Sequence, residues 1–254
     1  MSALLFSALT PNEEKYEVHI QRCMEKFDLL FPIFYSTIVR VFSFDSPQYD
    51  FESLKTCFSK MILFHDLGKL TEKWQENVGT NKKLPSHAPI GAGFLYKKFK
   101  NENVDDNLKN AVVFAVAIHH TDSGLLGDNI ERPDVQAIID GIVDYDENIK
   151  WHKEIDKLDK KHFPDEAKSF KVTDLKEMAR GLRVWARGCG LLEQHQRRLQ
   201  ASLAHHILKL CDISAATERK EYQKKDEQDY YGGWLMVDEI KKYVESITQR
   251  YPHE

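Results

Sequence analysis

The sequence predicts an all-α fold, and three observations lead to this prediction. Apolar residues recur at helical spacing through most of the chain, and no segment shows the strict alternation of a half-buried strand. The composition is that of a globular protein, with 42% hydrophobic and 30% charged residues. A chain of 254 residues is also long enough to bury a core without disulfides. We therefore expect one large helical domain with an appendage.

The first part of the chain predicts four helices. The first spans about residues 13–31, and Pro32 is expected to kink or end it. The second stops before Gly68, a residue type that often follows a helix. Ser86 is expected to cap a short third helix. Asn107 is expected to cap the fourth, NLKNAVVFAVAIHH, which is apolar on nearly all sides and should therefore be central.

The second part of the chain predicts an irregular segment and three more helices. Residues 144–171 are rich in mixed charge and show no clear period, so they predict a surface insertion. Helices should follow at about 173–187 and 191–219, and a pair of glycines precedes a last helix that ends near Arg250. The resulting domain boundaries are 1–225 for the main domain and 226–254 for a C-terminal helical appendage.

The charge and the cysteines exclude several classes of protein. The net charge is -4, so any contact with nucleic acid must be a local basic patch. The four cysteines form no C-x-x-C pair and indicate no disulfide framework, which favours a reducing cytoplasm. The longest apolar run, residues 111–118, is far too short to span a membrane. The first residues lack the basic region of a signal peptide, so we expect a cytoplasmic protein without a membrane partner.

The strongest candidate for chemistry is the run His65-Asp66-Leu67-Gly68-Lys69 at a predicted helix end. Adjacent residues of a helix point about 100° apart, so two neighbours reach one ion most easily from a helix terminus. An imidazole and a carboxylate together suit a divalent metal, and the two carboxylate oxygens can bridge two ions. A His-Asp pair alone is weak evidence, since such pairs also occur by chance on protein surfaces.

Four further places add imidazoles or a carboxylate to the candidate site. His119 and His120 end the apolar helix, where stabilisation of the helix C-terminus through its dipole is the alternative role. His87 taken alone would be a surface or capping residue. His19 lies on the inward side of the first helix, where a hydrogen-bonded core histidine is the alternative. Asp212 lies beside an apolar seam of a long helix, and a nearly buried acid needs a partner such as a metal.

The candidate residues follow one another in the order His19, His65-Asp66, His87, His119-His120 and Asp212. This order resembles the motifs of the HD hydrolase superfamily, which run His, then His-Asp, then Asp, all on helices. The added single histidine and the adjacent pair resemble a two-metal branch. H-D-L-G-K, then S-H, then A-x-x-H-H and a late Asp are similar in particular to the CRISPR-associated HD nuclease, the nuclease half of the type I interference helicase-nuclease. The likeness spans roughly residues 15–220.

The resemblance implies an HD-domain helical bundle with a dinuclear metal site. It also implies a nuclease, either endonuclease or exonuclease, that cleaves single-stranded DNA and sometimes RNA in antiviral defence. Lys69 would lie near the scissile phosphate, although a solvated lysine after a helix end is the alternative. The chain has no G-x-x-x-x-G-K-[ST] phosphate loop, so the helicase and the DNA-targeting complex would be supplied in trans. The ligands implied for one ion are His19, His65, Asp66 and Asp212, and those for the second are His87, His119 and His120, with Asp66 bridging.

The implied ligand set, with five imidazoles and two carboxylates, is rich in nitrogen. Such a set suits Mn²⁺, Fe²⁺, Co²⁺, Ni²⁺ or Zn²⁺ better than Ca²⁺ or Mg²⁺, which prefer oxygen. Mg²⁺ can still support turnover, because water and substrate phosphate contribute further oxygens. We therefore expect two divalent ions, and the sequence does not determine which metal they are.

A basic stripe is the candidate surface for substrate binding. Lys176, Arg180, Arg183 and Arg187 are spaced four, three and four residues apart and therefore share one helix face. Arginine suits phosphate because of its planar donor fork. An ordinary solvated helix face is the alternative. His205 shares a helix face with the late aspartate, and we expect it to support the metal ligands without binding an ion itself.

Two other classes of function stay open. An HD phosphohydrolase that acts on nucleotides or cyclic nucleotides would share the metal ligands, and a deep closed pocket would favour it. A non-catalytic helical adaptor would show no affinity for metal at the site. The adjacent histidines and the basic stripe favour the nuclease.

Overall fold

The computed structural model describes residues 5–9, 13–43, 49–120, 141–218 and 234–250, except for the side chains of 234–238 and 241. α-Helices dominate these residues, which confirms the all-α prediction. A short antiparallel pair, β1 (Phe6–Ala8) and β2 (Glu14–Lys15), precedes the helices. The helices described are α1 (Tyr16–Phe42), α2 (Phe51–Phe64), α3 (Glu72–Asn77), α4 (Ala88–Asn101), α5 (Asp106–Ile118), α6 (Val172–Arg187), α7 (Leu191–Thr217) and α8 (Trp234–Arg250).

The first helix is longer than the sequence predicts. α1 runs through Pro32 to Phe42 and does not end at the proline. A proline inside a helix costs roughly 3 kcal/mol. Beyond it, Ile38, Val41 and Phe42 are all buried, and full burial of such a side chain contributes about 1.5–3 kcal/mol. The packing of the second half of α1 therefore outweighs the lost helical hydrogen bond.

Two helices begin at residues other than those predicted. α4 follows His87, which replaces Ser86 as the N-cap residue, and the helix has 14 residues instead of being short. α5 follows Asp105, whose carboxylate accepts hydrogen bonds from the backbone N–H groups of Asn107 and Leu108, at 3.0 and 3.1 Å. A carboxylate satisfies these free N–H groups and favours the positive end of the helix dipole. Asp105 is therefore the cap of α5 in place of Asn107.

α5 and α7 form the centre of the bundle. α7 packs along both α1 and α5, while α4 packs against α5 and α6. α5 is buried on nearly all sides from Leu108 to Val116, as its apolar sequence predicts. α8 packs against α7, with Val244 buried in the core. The predicted domain boundary at 225 and 226 lies outside the described residues and stays a prediction.

Residues 144–171 are not confined to the surface as predicted. Phe163 and Phe170 of this segment are buried in the hydrophobic core. The backbone N–H of His152 donates to the carbonyl of Leu70 at 2.9 Å, which ties the segment to the residues that follow the His-Asp motif. This segment consists of short 3₁₀ turns and isolated bridges instead of regular helices or strands. Its buried apolar residues are therefore not spaced at a helical or strand period in the sequence.

Two glycines allow the end of α2 to meet the start of α4. A Cβ atom on Gly68 would lie 2.3 Å from the backbone oxygen of His87, and a Cβ atom on Gly91 would lie 2.4 Å from that of Phe64. Only a residue without a side chain permits such close backbone approach. Gly68 and Gly91 thereby bring His87 next to the His-Asp motif.

Candidate metal centre

The seven predicted ligands come together at one place in the bundle. Most of them stand where a helix ends or begins, so their side chains can converge from different directions. His19 is on the first turns of α1 and Asp212 is on α7. The others are His65 and Asp66 directly after α2, His87 directly before α4, and His119 and His120 directly after α5.

The donor atoms form two groups. The first donor group comprises His19, Cys23, His65 and Asp212, and the second donor group comprises Asp66, His87, His119 and His120. Within each group, the potential ligand atoms lie within 4.8 Å of one another. As the resemblance implies, His19, His65 and Asp212 are in one group and His87, His119 and His120 in the other. Cys23 is an addition, and Asp66 is counted with the second group.

Asp66 belongs to the second donor group, but it turns one oxygen to the histidines of each group. Its Oδ2 is 3.3 Å from Nε2 of His19 and 3.5 Å from Nε2 of His65. Its Oδ1 is 3.0 Å from Nε2 of His87 and 3.6 Å from Nε2 of His119. A carboxylate in this position can bridge two ions, which is the role that the resemblance implies for Asp66.

Backbone carbonyls fix the tautomers of two histidines. Nδ1 of His65 donates to the carbonyl of Ile62 at 2.7 Å, and Nδ1 of His119 donates to that of Val116 at 2.6 Å. A carbonyl can only accept, so both Nδ1 atoms carry the proton and both Nε2 atoms keep a lone pair. These buried Nε2 atoms have no hydrogen-bond partner among the described residues. Such an orientation is typical of imidazoles that bind metal, and the residues present therefore fit a metal ion.

His19 has a carboxylate partner that no sequence pattern predicts. Nδ1 of His19 lies 3.2 Å from a carboxylate oxygen of Glu14, and the other oxygen of Glu14 lies 2.7 Å from Arg22. A carboxylate behind a ligating imidazole orients the ring and raises its basicity. Glu14 is in β2, before α1, so no helical period points to it. Its pairing with β1 is what places it beside His19.

The two aspartates are held in the ionised form. Burial raises the pKa of Asp66, but the ammonium group of Lys69 and the neighbouring imidazoles outweigh this effect, so the pKa lies well below its usual range. Burial likewise raises the pKa of Asp212, and its interactions with the imidazoles of His19 and His65 bring it well below its usual range. Both carboxylates are therefore anionic ligands at neutral pH.

Three histidines of the second donor group are held in the neutral form. Burial lowers the pKa of His87 to about 4, although Asp66 acts in the opposite direction. Burial is also the first cause that lowers the pKa values of His119 and His120. A neutral imidazole is the form that binds metal, so this group is ready to bind an ion at neutral pH.

Metal-stripped protein is expected to lose stability as the pH falls from about 6.5 to about 4. Unfolded His87 takes up a proton over this range, whereas folded His87 resists it, so the unfolded state binds more protons and the free energy of unfolding falls with decreasing pH. His87 contributes up to about 3 kcal/mol to this fall in the free energy of unfolding. The contribution is roughly 1.4 kcal/mol for each pH unit between the pKa values of unfolded and folded His87. Urea titrations from pH 7 to pH 4.5 measure it.

The comparison for this prediction is the His87→Gln variant, which cannot take up a proton at position 87. Its stability should fall less steeply with decreasing pH than that of the unmodified protein. His195→Gln, at an exposed position on α7, serves as the matched control and should follow the unmodified protein. Equal pH dependence in all three proteins would contradict the role assigned to His87.

Lys69 places a positive charge at the edge of the site. Its Nζ lies 2.7 Å from Oδ2 of Asp66 and donates a hydrogen bond to Oγ of Ser7 at 3.2 Å. It also lies 5.7 Å from the centre of the Trp74 ring. The side chain is buried, which is unlike the solvated lysine that was the alternative.

The histidine predicted to support the ligands lies near the site. His205 is half-buried, and its Nε2 has no hydrogen-bond partner among the described residues. Burial lowers its pKa to about 4, and the charge of Lys209 acts in the same direction. Its supporting role stays a prediction.

The basic stripe lies on the outward face of α6. Its residues point away from the core, while Leu175, Met178 and Trp185 on the opposite face are buried. Lys176 lies 3.6 Å from Glu147, and Nε of Arg183 donates to a backbone carbonyl of its own helix. These contacts are compatible with a substrate groove and with a solvated helix face alike, and the role in binding stays a prediction.

The fold and the two donor groups define an all-helical protein with a candidate dinuclear metal centre built around a His-Asp pair. The family model of the HD domain matches residues 52–217, and the chain therefore belongs to the HD domain family. Members of this family are metal-dependent phosphohydrolases, which confirms the predicted superfamily and the general class of enzyme.

A solved structure also shares this fold. The CRISPR-associated Cas3 HD domain protein from Methanocaldococcus jannaschii is 18% identical, with a TM-score of 0.51. The match covers 83% of this chain and 98% of that one. No curated protein matches the sequence. Within the described parts of the chain, no helix combines the length and the apolar character needed to cross a membrane.

Proposed function

We propose that this protein is a metal-dependent nuclease that hydrolyses phosphodiester bonds of single-stranded DNA in type I CRISPR interference, with RNA as a further substrate of the same site. The observation that carries the proposal is the position of Asp66, whose two oxygens each face a different donor group. Two ions bridged by a carboxylate suit phosphodiester hydrolysis, because both the attacking and the leaving oxygens need stabilisation. The structural neighbour from Methanocaldococcus jannaschii is CRISPR-associated, which supports the CRISPR context.

The residues of this chain would prepare the site for that reaction. When bound, two divalent ions supply an activated water and neutralise charge on the phosphoryl oxygens. Asp66 would hold the two donor groups at a fixed separation, while the tautomers of His65 and His119 keep their lone pairs directed at the ions. Lys69 would donate to a phosphate oxygen and stabilise the negative charge of the transition state.

The exposure of the donor residues indicates the side from which substrate would approach. His19 and His65 of the first donor group are fully buried, whereas His120 of the second donor group is exposed. Substrate would therefore approach from the side of the second donor group. A long strand could continue from there across the basic stripe of α6, which would bind its phosphates without reading sequence. A helicase and a DNA-targeting complex, supplied in trans, would deliver the single strand.

The second candidate is an HD phosphohydrolase that acts on nucleotides or cyclic nucleotides. The same donor groups favour it, since the ligands alone do not select the substrate. A non-catalytic adaptor is less well supported, because an adaptor has no need for unpartnered imidazole nitrogens that face two ionised carboxylates.

The experiment that tests the proposal is a cleavage assay with metal-stripped protein. Labelled single-stranded DNA, double-stranded DNA and single-stranded RNA are incubated with Mn²⁺, Ni²⁺, Co²⁺, Fe²⁺ or Mg²⁺, beside cyclic nucleotides and a small phosphodiester dye. Metal-dependent cutting of single strands is the expected result. Hydrolysis of cyclic nucleotides without cutting of any strand would replace the proposal with the second candidate.

Replacing Arg180 and Arg183 together by alanine is expected to weaken binding of long single strands and to reduce its salt dependence. Each phosphate contact on a single strand contributes about -0.7 to the slope of log K against log salt, so loss of two contacts changes the slope by about 1.4. Hydrolysis of the small dye should stay unchanged, because these residues lie outside the donor groups. Fluorescence anisotropy at several salt concentrations measures the binding.

The matched control replaces Arg40 and Arg250, two exposed arginines on α1 and α8, by alanine. This variant loses the same charge but should keep the salt slope of the unmodified protein. If both double variants lose the same affinity, general charge and not the basic stripe governs binding.

A further inference from the structure

We propose that Cys23 is a ligand of the first metal ion. Sγ of Cys23 lies 3.6 Å from Nε2 of His19. The same sulfur is within 4.8 Å of the ligand atoms of His65 and Asp212. The first site would then have two imidazoles, one thiolate and one carboxylate from its own donor group, beside the bridging oxygen of Asp66.

The position of Cys23 follows from the geometry of α1. Cys23 comes four residues after His19, which is about one helical turn, so both side chains point to the same side of the helix. Both residues are fully buried. The sequence places Cys23 on the apolar face of α1 and predicts a small core residue. In the structure, however, its sulfur faces an imidazole and the carboxylate of Asp212, which are polar neighbours.

Two separations within the first donor group are close to those of ligand atoms that share one zinc ion. Bond lengths of about 2.3 Å from zinc to sulfur and about 2.05 Å from zinc to nitrogen, at a tetrahedral angle, separate the two ligand atoms by about 3.6 Å. The measured separation of Cys23 Sγ and His19 Nε2 is 3.6 Å. Nε2 of His19 and Oδ1 of Asp212 are 3.2 Å apart, close to the roughly 3.4 Å that the same geometry gives for nitrogen and oxygen.

An independent observation points to a ligand at this place. Nε2 of His65 is buried, carries a lone pair and has no hydrogen-bond partner among the described residues. A buried acceptor without a partner is destabilising, because it has lost its hydrogen bonds to water. A cation bound between the donors of the first site satisfies this nitrogen, and the thiol gives up its proton to solvent when the sulfur–metal bond forms.

A sulfur ligand makes the two sites chemically different. Thiolate is a soft ligand that favours Zn²⁺ and Co²⁺ over Mg²⁺ or Mn²⁺. The second donor group has three imidazoles and a carboxylate but no sulfur, and part of it is exposed. The first site would hold a tightly bound ion of the zinc type, and the second site a more readily exchanged ion. This inference rests on the metal centre of the proposed function but not on the hydrolysis of DNA.

The test is the absorption spectrum of the protein loaded with Co²⁺, which needs no substrate. Coordination by sulfur gives an intense charge-transfer band in the near ultraviolet, while cobalt bound only through nitrogen and oxygen gives weak visible bands. The unmodified protein and the control Cys57→Ser, a buried cysteine on α2 outside both donor groups, should show the intense band. Cys23→Ser should lose it and keep the weak visible bands of the second site.

X-ray absorption of the zinc-loaded unmodified protein provides a second measurement that does not depend on the folding of a variant. One sulfur scatterer at about 2.3 Å from zinc is expected. Zinc affinity in Cys23→Ser should fall at least about tenfold relative to Cys57→Ser, with a change below about threefold for Mn²⁺. Cobalt binding without a sulfur band in the unmodified protein would overturn the role of Cys23 and leave the metal centre standing. Absence of any metal binding would overturn both.

Discussion

Replacing Asp66 by asparagine is expected to lower kcat for phosphodiester hydrolysis at least about 10³-fold, to the level of the metal-free protein. Asp66 is the one described carboxylate that faces both donor groups, with Oδ2 near His19 and Oδ1 near His87. An amide keeps the shape but has one oxygen and no charge, so it cannot bridge two cations. The measurement is the rate of single-strand cleavage and of dye hydrolysis at saturating metal.

The controls for this prediction separate loss of chemistry from loss of folding. Circular dichroism should show that the metal-stripped variant keeps the helical content of the unmodified protein. Asp50→Asn changes an aspartate that caps α2 at the surface, and it should keep full activity. Calorimetric titration should show that Asp66→Asn also weakens metal binding. Activity within about tenfold of the unmodified protein would be incompatible with a bridging Asp66.

Replacing Gly91 by alanine is expected to destabilise the protein by about 1–3 kcal/mol and to reduce metal affinity as well. The new Cβ would lie 2.4 Å from the carbonyl oxygen of Phe64 and 2.6 Å from that of His65. Backbone atoms at a helix end cannot yield as a flexible side chain does, so α4 must move away from α2. His87 stands at the start of α4 and would move with it, away from Asp66. Thermal unfolding and calorimetric titration with Mn²⁺ measure the two effects.

The matched control is Gly190→Ala, at the start of α7, where a new Cβ atom would meet nothing within 4 Å. This variant should keep both its stability and its affinity for metal. A loss of about 1–3 kcal/mol lowers the thermal midpoint by roughly 2–12 °C for a chain of this size. If Gly91→Ala unfolds at the same temperature as Gly190→Ala, the close approach of α2 and α4 does not position the site.

Several candidate ligands could be proposed from the sequence because they stand at the ends of periodic apolar segments. His65 and Asp66 follow one such segment, and His119 ends a second one. Their convergence required the order of motifs in a known superfamily, since spacing along one helix does not show which helices meet. Glu14 could not be predicted, because its place depends on pairing between β1 and β2.

The parts of the fold that the sequence misrepresents are those where tertiary packing overrides a local rule. Pro32 normally ends a helix, but α1 continues because its later turns are buried against the bundle. Residues 144–171 have the charge of a surface segment, yet Phe163 and Phe170 anchor it in the core. In both cases the structure is stabilised by packing against residues that are distant in sequence. A local sequence pattern does not contain these contacts.

The spread of the donor residues along the chain has a consequence for the newly made protein. His19 is near the start of α1, whereas Asp212 is near the end of α7, so the first donor group is complete only after both helices exist. Chains grow on the ribosome at about 5–20 residues per second, and α7 is among the later helices to emerge. The roughly 190 residues from His19 to Asp212 therefore take about 10–40 s to synthesise, and during this time the first donor group is incomplete. Any activity that depends on the metal centre would then begin only when the helical bundle is complete.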